Sequence, residues 1–149
     1  MMNWQQNILE SDEQIADLLK QTKRIAVLGI KTEEQSNQPA FYVPQYMASA
    51  GYEIVPVPVY YPEATQIMGK TVYRKLTDVP GEIDLVNVFR RPADIPQHVD
   101  DILAKHPQAV WFQSGIRHDA AAETFAQAGI KVVQNMCLMV EHRALARKY

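Results

Sequence analysis

The chain has 149 residues, 47% hydrophobic and 21% charged, which suits one globular domain with a sizeable core. A net charge of −2 gives no overall attraction to nucleic acid or an anionic membrane, so any anion site must be local. The single cysteine, Cys137, excludes an intramolecular disulfide framework and suits a reducing compartment. No apolar run approaches the ~20 residues that span a bilayer. Residues 1–14 are polar and acidic, without the basic start and apolar centre of a signal peptide, so a cytoplasmic protein is expected.

In chain order, Ser11 and Gln14 form a capping-box pattern ahead of Ile15, Leu18 and Leu19 at helical spacing. This predicts a helical extension over residues 1–21, packed on a domain of residues 22–149. Its amphipathic character leaves a homodimer open. Arg24 to Gly29 predicts a buried strand, followed by a polar loop through Asn37 and a helix from Pro39 to Gly51. Pro44 requires that helix either to begin late or to kink. Glu53 to Val59 reads as a second strand whose Pro56 and Pro58 remove ladder donors and push its end from the sheet centre. Tyr60 to Gly69 reads as loop and Thr71 to Tyr73 as a short edge strand. Ile83 to Val88, Ala109 to Phe112 and Ile130 to Val133 read as strands. Pro96 to Lys105, Asp119 to Ala128 and Leu138 to Arg147 read as helices. Strands alternating with helices predict an α/β, Rossmann-like, doubly wound parallel sheet covered on both faces.

Ligands in such folds sit beyond the C-terminal strand ends. Gly29 closes the first strand there, but Ile30-Lys31-Thr32-Glu33-Glu34 follows, so Gly-x-Gly-x-x-Gly is absent. The acid that an NAD site places on the ribose is also missing, because Glu53 lies at the wrong end of strand two. The histidines, His98, His106, His118 and His142, are dispersed without metal-ligand spacing. There is no Walker loop or Gly-x-Ser-x-Gly elbow, and no basic groove interleaved with aromatics for nucleic acid.

The ordered set Ile25-Ala26-Val27-Leu28-Gly29, Gly51 to Val57, Gly69 to Tyr73, Val86 to Arg91, Val110 to Gly115 and Asn135-Met136-Cys137 with Glu141 resembles a known family. It is similar to the small, stand-alone CoA-binding proteins related to the CoA-binding domain of the succinyl-CoA synthetase α chain. The resemblance implies CoA or an acyl-CoA lying across the strand ends, with its nucleotide near the Gly29 loop and the loop after strand two. The corresponding candidates are Gly29, Ile30, Lys31 and Thr32; Pro58 and Val59; Phe89, Arg90 and Arg91; Gln113, Ser114, Gly115 and Ile116; and Asn135 and Cys137. Two departures stand out. Pro58-Val59-Tyr60-Tyr61-Pro62 replaces the family's asparagine-proline, and Glu33 and Glu34 would repel phosphates if they pointed inward.

Each candidate has a plainer reading. Gly29 also suits a plain tight turn, and Lys31 and Thr32 also suit a solvated loop. Arg90 and Arg91 alternate in direction, so one of them at most faces a given ligand; a forked guanidinium suits phosphate. Gln113 to Ile116 offers an amide, a hydroxyl and backbone donors, or is simply a strand-to-helix turn. Tyr60 and Tyr61 stack on adenine or cover an interface. Cys137 lies near the CoA thiol, within reach of a mixed disulfide, or is a core cysteine. The leading expectation is a small-molecule CoA binder without catalysis, since the chain lacks the phosphorylatable histidine domain and nucleotide-grasp subunit of the synthetases. The alternatives are a small NAD(P)-dependent oxidoreductase and a ligand-free interaction scaffold.

Overall fold

In the computed structural model, which describes residues 3–148, five parallel strands form one sheet in the order β2-β1-β5-β6-β7. They are β1 (Arg24–Leu28), β2 (Glu53–Val57), β5 (Leu85–Val88), β6 (Ala109–Phe112) and β7 (Lys131–Val133). A separate antiparallel hairpin joins β3 (Gln66–Ile67) to β4 (Lys70–Thr71). The helices are α1 (Asp12–Gln21), α2 (Pro39–Ser49), α3 (Val99–Lys105), α4 (Asp119–Gln127) and α5 (Leu138–Lys148).

Alternate strand residues face opposite layers. Ile25, Val27, Leu85, Ala109 and Trp111 face a core completed by Leu19 of α1, Met47 of α2 and Leu138 of α5. Ala26, Leu28, Val86, Val88 and Phe112 face a second core completed by Ile102 of α3 and Phe125 of α4. The sheet is therefore doubly wound, as the alternation of elements predicts, and the strand order reverses between β1 and β5. Among the described residues no helix is long and apolar enough to cross a membrane.

The Ser11–Gln14 capping box forms in full at the start of α1. Ahead of it, Leu9 N donates to Val132 O at 2.8 Å and Asn7 Nδ2 to Ala126 O at 2.8 Å, tying the N-terminal stretch to β7 and α4. The β2 prolines follow from its place at the sheet edge. Pro56 is paired with Val27, but its carbonyl faces away from β1 and accepts Tyr73 N at 3.0 Å. Its absent N–H thus falls on the outer side, where no strand requires it.

Three boundaries differ from expectation. Strand two ends at Val57, not Val59, because Pro58 cannot continue the ladder. In place of the expected edge strand Thr71–Tyr73, only Thr71 is strand, in the second arm (Lys70–Thr71) of the β3–β4 hairpin, whose turn residues Met68 and Gly69 both have positive φ, 53° and 72°. Pro96–His98 is a separate 3-10 turn before α3, not its first turn. Helix α2 begins at Pro39 and runs through Pro44. The Ala40 carbonyl, which a residue other than proline at 44 would engage, accepts Lys31 N at 3.1 Å instead.

Candidate functional site

The β1 and β5 ends meet at the topological switch. Gly29 has φ +90°, and a Cβ there would overlap the Phe89 carbonyl oxygen and come within 3.3 Å of Arg90 Cδ. Gly29 N donates to Val57 O at 2.9 Å and Phe89 N to Leu28 O at 2.9 Å, so both backbones are consumed in knitting the strand ends together. The glycine is first of all a close-approach residue. Beyond it, the Ile30 side chain is core, 1% exposed, so only its backbone could serve a ligand.

The loop that follows is folded on itself. Lys31 Nζ bonds Gln38 Oε1, and Thr32 Oγ1 donates to Gln35 Oε1 at 2.7 Å. Both groups expected to grip a phosphate are engaged by local amides. Glu33, which would repel an anion if turned inward, accepts Met68 N at 2.8 Å and pins the β3–β4 hairpin against this loop. Glu34 is exposed.

A cleft of about 700 Å³ opens beside the β1 and β2 ends, over the α3 face of the sheet. Pro58 and Val59 form its apolar side, Arg74 and Lys75 bring positive charge, Asp100 and Asp101 of α3 bring negative charge, and Gln97 and His98 close it from the turn before α3. The two arginines after β5 diverge. Arg91 is exposed and pairs with Asp94 at 2.9 Å. Arg90 is 8% exposed and donates from Nε to His98 Nε2 at 3.0 Å; its guanidinium stands 5.7 Å from the Tyr60 ring centroid. His98 is thereby an acceptor at Nε2, with the neutral ring's proton on Nδ1. Burial first, then the neighbouring Arg90 charge, pushes its pKa below the usual histidine value, while Asp101 and Asp94 pull the other way.

The β6 and β7 ends are different in kind. Gln113 is 4% exposed, and its Oε1 accepts from Asn87 Nδ2 at 3.2 Å and from Leu138 N at 3.3 Å. Gly115 N donates to Asn135 Oδ1 at 2.7 Å and Ile116 N to Gln113 O at 2.9 Å. The backbone donors expected of Gly115 and Ile116 are thus spent inside the protein. Asn135 performs this closure from a left-handed conformation, φ 58°, which asparagine tolerates. Ser114 remains exposed beside them. Cys137 is half-buried against the α5-side core, and its carbonyl accepts Glu141 N at 3.0 Å in the first turn of α5.

A cleft beside the strand ends at a switch point narrows the fold to a ligand-binding type without choosing the ligand. Comparison decides the family: residues 23–143 match the model of the CoA binding domain. The chain belongs to the CoA-binding domain family. The Uncharacterized protein YneT of Bacillus subtilis (strain 168) is 31% identical over 132 residues, 89% of this chain and 94% of its own length. A solved structure from Thermus thermophilus is 38% identical, with a TM-score of 0.83 over 91% of this chain and 99% of that one. The dinucleotide-forming acetyl-coenzyme A synthetase 1 of Ca. Korarchaeum cryptofilum shares the fold at 19% identity, TM-score 0.62, over 78% of this chain but only 27% of its own.

Within this CoA-binding domain the sequence-predicted residues fall into two groups. Pro58 and Val59 line the open cleft, Arg90 stands behind it against His98 of the cleft wall, and Gly29 and Phe89 lie in the adjoining strand ends. Gln113, Gly115, Ile116 and Asn135 are interlocked on the β6–β7 side. Sequence reasoning missed Arg74, Lys75 and His98. Arg74 and Lys75 directly follow the Gly69–Tyr73 segment that carries the family resemblance, which was the available signal. His98 had none, because its partner Arg90 is eight residues away across two 3-10 turns.

Proposed function

We propose that this protein binds CoA or an acyl-CoA in the cleft beside the β1 and β2 ends and performs no chemistry on it. Membership of the CoA-binding domain family supports CoA binding in general. The observation that carries the more specific reading is the pairing of an apolar wall, Pro58 and Val59, with two cations, Arg74 and Lys75, around about 700 Å³ whose α3 side also carries Asp100 and Asp101. That volume lies within the usual range of small-molecule sites. CoA presents the matching parts: anionic phosphates at the nucleotide and a long, mostly neutral pantetheine arm.

The reading without catalysis rests on the two partly buried carboxylate or imidazole groups of the cleft, His98 and Asp101, since its Asp100 is exposed. His98 Nε2 already accepts from Arg90, and Asp101 Oδ2 accepts Leu76 N at 2.9 Å. Neither stands free as a general base. Titration calorimetry with CoA, acetyl-CoA and NADP tests the proposal. Saturable binding of CoA or acetyl-CoA without NADP is the expected result. A ligand at 100 times its Kd should then add about 2.7 kcal/mol of stability. Binding of NADP alone, or of none of the three, would overturn it.

A further inference from the structure

Resting on the CoA reading above, we infer that Tyr60 is a preformed stacking platform for the purine base of the ligand. The Tyr60 side chain is 62% exposed, the most exposed of the large hydrophobic residues among those described. A lone exposed aromatic is ordinary. Two further observations set this one apart.

The first is that its backbone is fixed. Arg74 donates from Nη1 to Tyr60 O at 3.1 Å, and from Nη2 to Tyr61 O at 2.6 Å and Ala64 O at 2.9 Å. Tyr61 holds a left-handed φ of 64°, a conformation a bulky residue adopts only where its surroundings impose it. One side chain of the cleft wall thus clamps three carbonyls of the loop that carries the ring.

The second is what lies against the ring. Arg90 sits 5.7 Å from its centroid, and the guanidinium is itself held by His98 Nε2 at 3.0 Å and by Asp94 at 4.0 Å. A buried, anchored cation at this distance is attracted to the face of the ring and favours the orientation seen. The chain of contacts from Tyr60 through Arg90 to His98 ends in the cleft wall. A planar base laid on the open part of the ring would complete a cation–aromatic–base stack at the cleft mouth. Its phosphates would then lie toward Arg74 and Lys75.

The test compares CoA, 3′,5′-ADP and 4′-phosphopantetheine by calorimetry on the wild type, Tyr60→Leu and Tyr60→Phe. Stacking of one base on an aromatic corresponds to roughly a tenfold change in affinity or more. Tyr60→Leu should lose about that factor for CoA and 3′,5′-ADP and leave phosphopantetheine unchanged, whereas Tyr60→Phe should bind all three like the wild type. Equal CoA affinity in wild type and Tyr60→Leu would overturn the inference while the CoA reading stands. An equal loss for phosphopantetheine would also overturn it, by showing a general effect on the cleft. Failure of the wild type to bind CoA would remove the functional reading itself.

Discussion

Replacing Gly29 by alanine tests the geometry of the switch point. Two costs add there. An L-residue in the left-handed region costs about 1–2 kcal/mol, and Gly29 sits at φ +90°. The new methyl would also overlap the Phe89 carbonyl, a backbone atom that can yield only if β1 and β5 part, an overpacking cost of about 1–3 kcal/mol. The sum is roughly 2–5 kcal/mol. Unfolding entropy of about 2.1 cal/mol/K per residue over 149 residues makes 1 kcal/mol worth about 3 °C. The melting temperature should therefore fall by roughly 6–15 °C. Gly51→Ala supplies the control: its φ is +105°, but an added Cβ meets nothing within 4 Å. It should pay the strain alone, about 3–6 °C. Differential scanning calorimetry on both variants reads the contrast directly. If Gly29→Ala melts no lower than Gly51→Ala, the strand ends do not approach as closely as described.

Four further outcomes are expected. Gln113→Leu leaves Leu138 N without its acceptor and strips Asn87 Nδ2 of its shorter bond, a loss of roughly 2–4 kcal/mol in urea unfolding. Asn87→Leu should cost less, because Asn87 Oδ1 is buried without a partner and its removal relieves that penalty; a larger loss at Asn87 would contradict this assignment. Arg74→Met should change stability by about 1 kcal/mol or less, since the freed carbonyls reach water. It should nevertheless speed exchange of the Ala64 amide, which bonds Tyr61 O at 3.1 Å, and weaken CoA binding; unchanged exchange would refute the clamp. For His98 the folded pKa lies below the unfolded value of 6.5, so the unfolded state binds the proton first. Its effect is absent well above pH 6.5 and becomes a growing destabilisation as pH falls from there toward the folded pKa. The stability difference between wild type and His98→Gln should therefore shift against the wild type below pH 6.5, and a flat difference would refute the burial argument.

Much of this was legible because parallel strands buried on both faces are continuous apolar runs. Ile25-Ala26-Val27-Leu28 and Ala109-Val110-Trp111-Phe112 therefore announced themselves, and Ser11 with Gln14 marked the start of α1. Arg90 and Arg91 do diverge as expected, but both lie beyond Val88, the last residue of β5, so their separation follows from His98 and Asp94 as partners and not from the pleat. What stayed hidden depends on distant partners. Pro44 looks like a helix breaker until the Ala40 carbonyl it leaves free is seen to accept Lys31 N. Lys31 and Thr32 look like phosphate ligands until Gln38 and Gln35, seven and three residues on, engage them. The β3–β4 hairpin is two residues per arm, too short for an alternation to register.

The two halves of the strand-end surface differ in how their polar groups are used, and that difference argues where a ligand belongs. On the β6–β7 side the loops satisfy one another: Gly115 N with Asn135, His118 N with Gln134 at 2.8 Å, and Trp111 Nε1 with Met136 O at 2.8 Å. A phosphate placed there would have to displace bonds already made, losing much of what it gained. On the β1–β2 side, Arg74 and Arg90 spend donors on loop carbonyls and on His98, yet among the described residues Arg74 makes no ion pair and Arg90 only a long one, 4.0 Å to Asp94. A bound anion would meet positive charge whose positions are fixed in advance, the condition under which binding loses least to ordering. Hence the residues that build the β6–β7 side are better assigned to stability, and substitutions there should lower the melting temperature before they change the intrinsic affinity for CoA.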